Sequence, residues 1–223
     1  MQTEVLAASS EESLRSALDV LSAGGLVAFP TDTVYGVGAL AFDGPAIESI
    51  YIAKDRPVEK AIPILISDTQ ELDKVGMNIP EVALQLASHF WPGPLTILVP
   101  KRPDLPASVS ATSTVGVRVP DHEVARSLLR LAGPLAVTSA NMSGAQSPVS
   151  AEEVYEQLIG RIPLILDGGP TSGGVPSTLV DCTTQELKIL REGPIRLEEL
   201  LSALAPHPNF PPFEKRNEES RNS

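Results

Sequence analysis

The sequence predicts an α/β fold: a single domain with a twisted, mixed parallel and antiparallel sheet flanked by helices. Three observations predict it. Short apolar runs alternate with amphipathic stretches along most of the chain, which is the pattern of an α/β protein. Several pairs of apolar runs have no helix between them, so the sheet has to contain antiparallel neighbours. No period of roughly 20–50 residues recurs, which excludes a repeat architecture. At 223 residues the chain is long enough for one well-buried domain and short for two. The domain is assigned to 1–205 and a polar, proline-rich tail to 206–223, whose composition cannot build a core.

The elements follow in order. Leu14, Ala17, Leu18 and Leu21 recur at helical spacing over 13–23, and Gly24 suits the end of that helix. Residues 26–29 form an apolar run that reads as a buried strand and leads into a hydroxyl-rich loop over 30–36. Pro45 fits the first turn of a helix carrying Ile47, Ile50 and Tyr51 and ending near Lys54. A strand over 62–66 and a helix over 81–90 come next. Residues 95–99 and 115–119 read as strands. Val124, Ala125, Leu128 and Leu129 define a helix closed by Gly133 and Pro134. A strand over 135–138 runs into Ser139. Ser150 and Glu153 are spaced as a capping box for a helix to about 159. Strands over 162–166, 178–181 and 187–190 and a helix over 197–204 complete the pattern.

Composition narrows the function. Hydrophobic residues make up 42% of the chain and charged residues 20%, as in an ordinary globular protein. No apolar run approaches the roughly 20 residues that span a bilayer. Residues 1–10 lack the basic-then-apolar pattern of a signal peptide. A cytoplasmic location, with no membrane contact, is the resulting expectation. Cys182 is the single cysteine and lies in an apolar run, so it is assigned a buried structural role. The net charge of −11 opposes strong general RNA binding, because phosphate neutralisation supplies most of such affinity.

Three groups of residues remain as candidates for chemistry. Lys54, Arg56 and Lys60 fall within seven positions. They form either a solvated helix end, complementing the dipole, or a cationic turn for a polyanion. Arg118 sits in the otherwise apolar run 115–119, on the face opposite Val117 and Val119. A buried arginine requires an anionic partner, either a protein carboxylate or a ligand carboxylate. Arg191, after another strand, poses the same choice. Hydroxyls and amides cluster at strand ends: Thr31 and Thr33; Thr138, Ser139, Asn141, Ser143 and Ser147; Ser177 and Thr178. Each alone suits a turn or cap equally well, but in open α/β sheets ligands bind at the carboxyl ends of strands.

Several chemistries are excluded. The chain has neither a G-x-x-x-x-G-K-[ST] loop nor a G-x-G-x-x-G after a strand, and no G-x-S-x-G. Gly168, Gly169, Gly173 and Gly174 have no lysine near them and read as a flexible loop. His89, His122 and His207 lack metal-ligand spacing.

Read in order, the segments FPTDTVYGVG (29–38), AKDRPVEK (53–60), WPGPLTILVP (91–100), VGVRVPDH (115–122), TSANMSG followed by SP (138–148), PSTLVD (176–181) and ILREG (189–193) resemble the YrdC-like threonylcarbamoyl-AMP synthases. The family's Lys-x-Arg and Ser-x-Asn signature corresponds to Lys54, Arg56, Ser139 and Asn141. The resemblance implies a nucleotidyl transfer. L-threonine, bicarbonate and ATP give threonylcarbamoyl-AMP and pyrophosphate, and threonylcarbamoyl-transferase complex proteins then act on tRNA, which this chain meets indirectly or weakly. It implies Lys54 and Arg56 as catalytic cations, and Thr33, Arg118 and Ser177 as threonine-binding positions. Arg56, Lys60, Thr114, Ser139, Asn141, Ser147 and Arg191 become ATP-binding positions. Mg²⁺ accompanies the ATP, held largely by phosphates and water. Leu65 stands where some members carry a histidine near the threonine side chain. Longer members have a second domain, for which too few residues follow Arg191, so a single-domain form is expected. The alternatives are a family paralogue forming another carbamoyl-adenylate, and an RNA-binding module without catalysis.

Overall fold

The computed structural model describes residues 2–184 and 186–204; the tail assigned to 206–223 lies outside the described residues. One ten-stranded sheet runs through the molecule in the order β1-β8-β2-β3-β7-β4-β6-β5-β9-β10. Its strands are β1 (Glu4–Ala7), β2 (Val27–Phe29), β3 (Gly36–Leu40), β4 (Ile64–Leu65), β5 (Leu95–Pro100), β6 (Thr114–Arg118), β7 (Leu135–Ser139), β8 (Leu164–Asp167), β9 (Thr178–Asp181) and β10 (Lys188–Arg191). The sheet is mixed, as expected. β8 is parallel to β1 and β2, β4 to β6, and β5 to β9. The remaining five neighbours are antiparallel.

Six helices flank it: α1 (Glu11–Ser22), α2 (Gly44–Lys54), α3 (Glu81–Phe90), α4 (Glu123–Ala132), α5 (Ala151–Leu158) and α6 (Leu197–Leu204). Local chemistry sets their ends. The Ser10 hydroxyl accepts from the Ser13 amide at the start of α1, and Gly24 leaves it at φ +78°. Asp43 caps α2 by accepting from Ala46. At α5 the Ser150 hydroxyl accepts from Glu153, while the Glu153 carboxylate reaches back to Val149 rather than to Ser150. The reciprocal pairing is kept, one residue upstream of the usual box.

Two apolar layers hold the sheet. On one face Ala17 and Leu21 of α1 and Leu128 of α4 pack on Val27, Phe29, Leu164 and Leu166. On the other, Ile50 of α2, Leu86 of α3, Val154 of α5 and Leu200 of α6 pack with Val37, Ile64, Ile97 and Val117. Cys182 is buried there, and desolvation pushes its thiol up to about 12, so it is an inert space-filler as expected. Leu65 pairs in register with Arg118, and Thr96 with Leu179. These side chains line the cavity described below.

Four elements depart from the sequence reading. β1 and β3 are not assigned from the sequence: β1 is a short run at residues 5–8, and Gly36 and Gly38 interrupt the run that holds β3; their neighbours in the sheet define them. The run 62–66 pairs as a strand only at Ile64 and Leu65. A 3-10 helix at Thr69–Lys74 was also not expected.

Candidate active site

A cavity of about 210 Å³ opens on the sheet where the loop after β2 and the segment between α2 and β4 converge with the end of β7 and the segment before β9. Its apolar wall includes Val34, Pro63, Leu65, Val137 and Leu179, and its polar wall includes Thr33, Thr96, Ser139 and Ser177. Three arginines border it: Arg56, Arg118 and Arg191. Leu65 therefore presents an apolar surface where a histidine was noted as the alternative.

Arg118 is the most enclosed, 6% exposed. Strand alternation places it on the cavity face, opposite the core-facing Val117, as the pattern predicted. Its Nε donates to the Gly93 carbonyl at 2.9 Å, Nη1 to the Thr33 hydroxyl at 3.0 Å and Nη2 to Asp32 Oδ1 at 2.5 Å. The sequence left its partner open between a protein and a ligand carboxylate; the structure supplies a protein carboxylate. Three of its five N–H donors are engaged, and two remain. Burial is the largest influence lowering the Arg118 pKa, opposed by Asp32, with Arg191 lowering it further. An arginine stays protonated under such shifts, so the side chain remains a cation.

The loop 30–35 is built to receive this side chain. Thr31 Oγ1 donates to the Val34 carbonyl at 2.7 Å and lies 3.0 Å from Thr33 Oγ1. With that proton committed, the Thr33 hydroxyl donates to Thr31, leaving its oxygen to accept from Arg118. The result is one directed chain from guanidinium to main chain. Gly173 closes over this loop. A Cβ there would lie 2.7 Å from the Asp32 carbonyl oxygen and 2.8 Å from Thr33 Cα, so no side chain fits.

Arg191 donates through Nε to the Ser177 carbonyl at 3.0 Å and through Nη2 to the Ser177 hydroxyl at 3.1 Å. That hydroxyl is 2.7 Å from Thr96 Oγ1. Gly193 permits the approach: a Cβ on it would come within 2.3 Å of the Thr178 nitrogen. Arg56 donates to the Lys60 and Ala61 carbonyls at 3.2 and 3.0 Å. The pKa values of both arginines are lowered, mainly by burial, and Arg191 also feels Arg56. Among the described residues, Asp32 is the one charged partner of these three guanidiniums; their other acceptors are neutral oxygens.

The three cations read as one turn do not act as one. Lys54 is 1% exposed and absent from the cavity wall. Its Nζ donates to the Ser139 carbonyl at 2.5 Å and to the Asn141 carbonyl, and its own carbonyl accepts from Ser143 at 2.8 Å. It clamps the turn after β7 and so places Ser139. Burial first, and Arg56 second, lower its pKa to about 7. Asn141 serves the same turn, donating to the Met142 and Ala145 carbonyls at 2.7 and 2.9 Å. Lys60 is exposed, and Lys60, Thr114, Asn141 and Ser147 lie off the cavity wall. The structure thus brings Thr33, Arg56, Arg118, Ser139, Ser177 and Arg191 together. It adds Thr96 and Asp32, which the sequence did not single out, and it uses Thr31, one of the strand-end hydroxyls, to orient Thr33. Thr96, a hydroxyl inside an apolar strand, carried the same signal that singled out Arg118.

Fold and site together define an α/β protein with an arginine-rich, hydroxyl-lined anion cavity. The Sua5/YciO/YrdC family model, described as "Telomere recombination", matches residues 19–193, and the chain belongs to that family. A threonylcarbamoyl-AMP synthase of Pyrococcus abyssi is 44% identical over 192 residues, covering 85% of this chain and 56% of that protein. One of Bacillus subtilis is 43% identical over 184 residues, covering 81% and 53%. The chain spans little more than half the length of these relatives. A solved structure of P. abyssi Sua5 complexed with L-threonine aligns with TM-score 0.85 at 43% identity, covering 88% of this chain and 58% of that one. E. coli YciO aligns with TM-score 0.80 at 25% identity, covering 89% and 100%.

Proposed function

We propose that this chain makes threonylcarbamoyl-AMP from L-threonine, bicarbonate and ATP, with release of pyrophosphate, in the cytoplasm. The observation that carries the reading is the convergence of Arg56, Arg118 and Arg191 on one cavity whose polar wall is otherwise hydroxyl. An anion attacking the phosphorus of another anion needs charge neutralisation and positioning, and no protein nucleophile is obligatory. The names of the relatives support the same reaction.

In this reading the threonine carboxylate takes the two free N–H groups of Arg118, beside Thr33 and Ser177. The threonine amine joins the bicarbonate carbon with loss of water, giving a carbamate. A carbamate oxygen then forms a bond to the α-phosphorus as the bond to the β-phosphate oxygen breaks. Arg56, Arg191 and Ser139 receive the phosphates. A cavity of about 210 Å³ is smaller than the roughly 300 Å³ at which sites for larger ligands begin. ATP therefore extends past the wall, where Lys60, Thr114 and Ser147 are proposed to meet it. Lys54 and Asn141 act by holding Ser139. Mg²⁺ is proposed to enter on the nucleotide: the described wall offers hydroxyls and no carboxylate, which fits an ion held by phosphate oxygens and water. The product would pass to a transferase complex acting on tRNA.

The test is pyrophosphate release with each of ATP, bicarbonate and threonine omitted in turn. Dependence on all three is expected. Release that ignores threonine would favour a carbamoyl-adenylate former and remove the reading.

A further inference from the structure

Arg118 differs from the other two cavity arginines in one respect. Arg56 donates to main-chain carbonyls, and Arg191 to a carbonyl and a hydroxyl. Among the described residues, Arg118 alone of the three has a carboxylate partner, Asp32, at 2.5 Å with side chains 7% and 15% exposed. Asp32 does not line the cavity; it grips the guanidinium from behind. The same Oδ1 accepts the Asp121 amide at 3.0 Å, which ties the loop after β2 to the turn before α4. The Asp32 main chain is itself held, because Gly173 packs on its carbonyl oxygen.

We infer that Asp32 is a positioning residue that divides the cavity electrostatically. It fixes the Arg118 fork and cancels its charge toward the polyanion side. Arg118 is then left suited to a single carboxylate, while Arg56 and Arg191 keep the excess positive charge that a polyphosphate requires. This inference rests on the proposed assignment of threonine to Arg118. Charge arithmetic gives it a signature that a general structural role lacks. Asp32→Asn keeps an oxygen that can accept from Nη2 but loses the charge-assisted grip, so the Arg118 fork is held less firmly and carboxylate binding weakens through lost positioning, more than the added positive charge restores. It also adds one unit of net positive charge beside the phosphates, which does not weaken nucleotide binding and strengthens it at low salt.

The experiment is calorimetric titration of the full chain with L-threonine alone and, separately, with a non-hydrolysable ATP analogue. It compares the unaltered protein with Asp32→Asn, Asp32→Glu and Arg118→Lys, with a thermal melt of each. For Asp32→Asn we expect the threonine Kd to rise about 10-fold or more, with the nucleotide Kd unchanged or lower. Asp32→Glu keeps the charge but displaces it by a methylene. It should weaken threonine less than Asn does and leave the nucleotide Kd unchanged, and it gives the reading if Asp32→Asn does not fold. If Arg118→Lys weakens threonine and neither Asp32 variant does, the inference about Asp32 is wrong and the threonine assignment stands. If Arg118→Lys also leaves threonine binding intact, the threonine assignment itself fails. Loss of both ligands together from a folded Asp32→Asn protein overturns the division of the cavity and makes Asp32 a general support.

Discussion

Lys54 offers a test in which the magnitude follows from the structure. The side chain is 1% exposed and donates to two carbonyls, with no carboxylate partner among the described residues. Burial is the main cause that lowers its pKa from 10.5 to about 7. The sign follows from linkage. Between those two values the unfolded chain binds a proton that the folded protein does not, so stability rises with pH across that interval. The penalty is largest below pH 7, on the order of 5 kcal/mol, and fades as pH approaches 10.5. Between pH 7 and 9 the relief is about 2 kcal/mol. Lys54→Met keeps the length of the side chain and removes the titration. It leaves the Ser139 and Asn141 carbonyls short of a donor, at about 1–3 kcal/mol each. That cost does not depend on pH. Urea unfolding of both proteins at pH 7, 8 and 9 isolates the effect, since every other group cancels in the difference. The stability of the unaltered protein relative to Lys54→Met should climb by about 2 kcal/mol over that range. A flat difference would mean that Lys54 titrates normally, and the account of a desolvated clamp would be wrong.

Three further outcomes are expected. Arg118→Lys keeps one charge but cannot reach Gly93, Thr33 and Asp32 with a fixed fork. It should raise the KM for threonine by about 10-fold or more while moving the KM for ATP far less, and it should lower the melting temperature; an equal shift in both KM values would contradict the assignment. Arg56→Ala removes a cation held only by carbonyls, so it should weaken ATP and slow adenylation with little change in melting temperature, read by steady-state kinetics with ATP varied. Gly173→Ala forces a methyl to within 2.7 Å of the Asp32 carbonyl. It should weaken threonine binding through displacement of the 31–35 loop, and wild-type threonine affinity in this variant would show that the loop is not constrained from that side.

The acidic chain and the basic cavity are reconciled by placement. The net charge is −11, yet three guanidiniums, with a single carboxylate partner among the described residues, face one small volume. Charges of one sign inside low-dielectric walls focus the field on a ligand. The acidic exterior does not cancel this locally and disfavours indiscriminate binding of nucleic acid.

The sequence by itself determined the helices almost to the residue. Apolar spacing and caps are local, and α3, α6 and the Ser150 cap of α5 need only their own neighbours in the chain. It also determined that Arg118 lies on the face opposite Val117, the face on which the cavity opens, because alternation within one strand is local too. The mixed sheet was legible from the missing crossover helices. The short β1 and the glycine-interrupted β3 were not, since they exist through pairing with β8, β2 and β7, and the pairings with β8 and β7 join residues from 95 (135 − 40) to 160 (164 − 4) positions apart. The partners of charged side chains were likewise decided only by tertiary structure. Lys54 and Arg56 are two residues apart in sequence, yet one is buried against the turn after β7 and the other borders the cavity. Asp32 reaches Arg118 across 86 positions. Periodicity reports which way a side chain points, whereas a hydrogen-bond partner depends on which distant segment the fold brings opposite it.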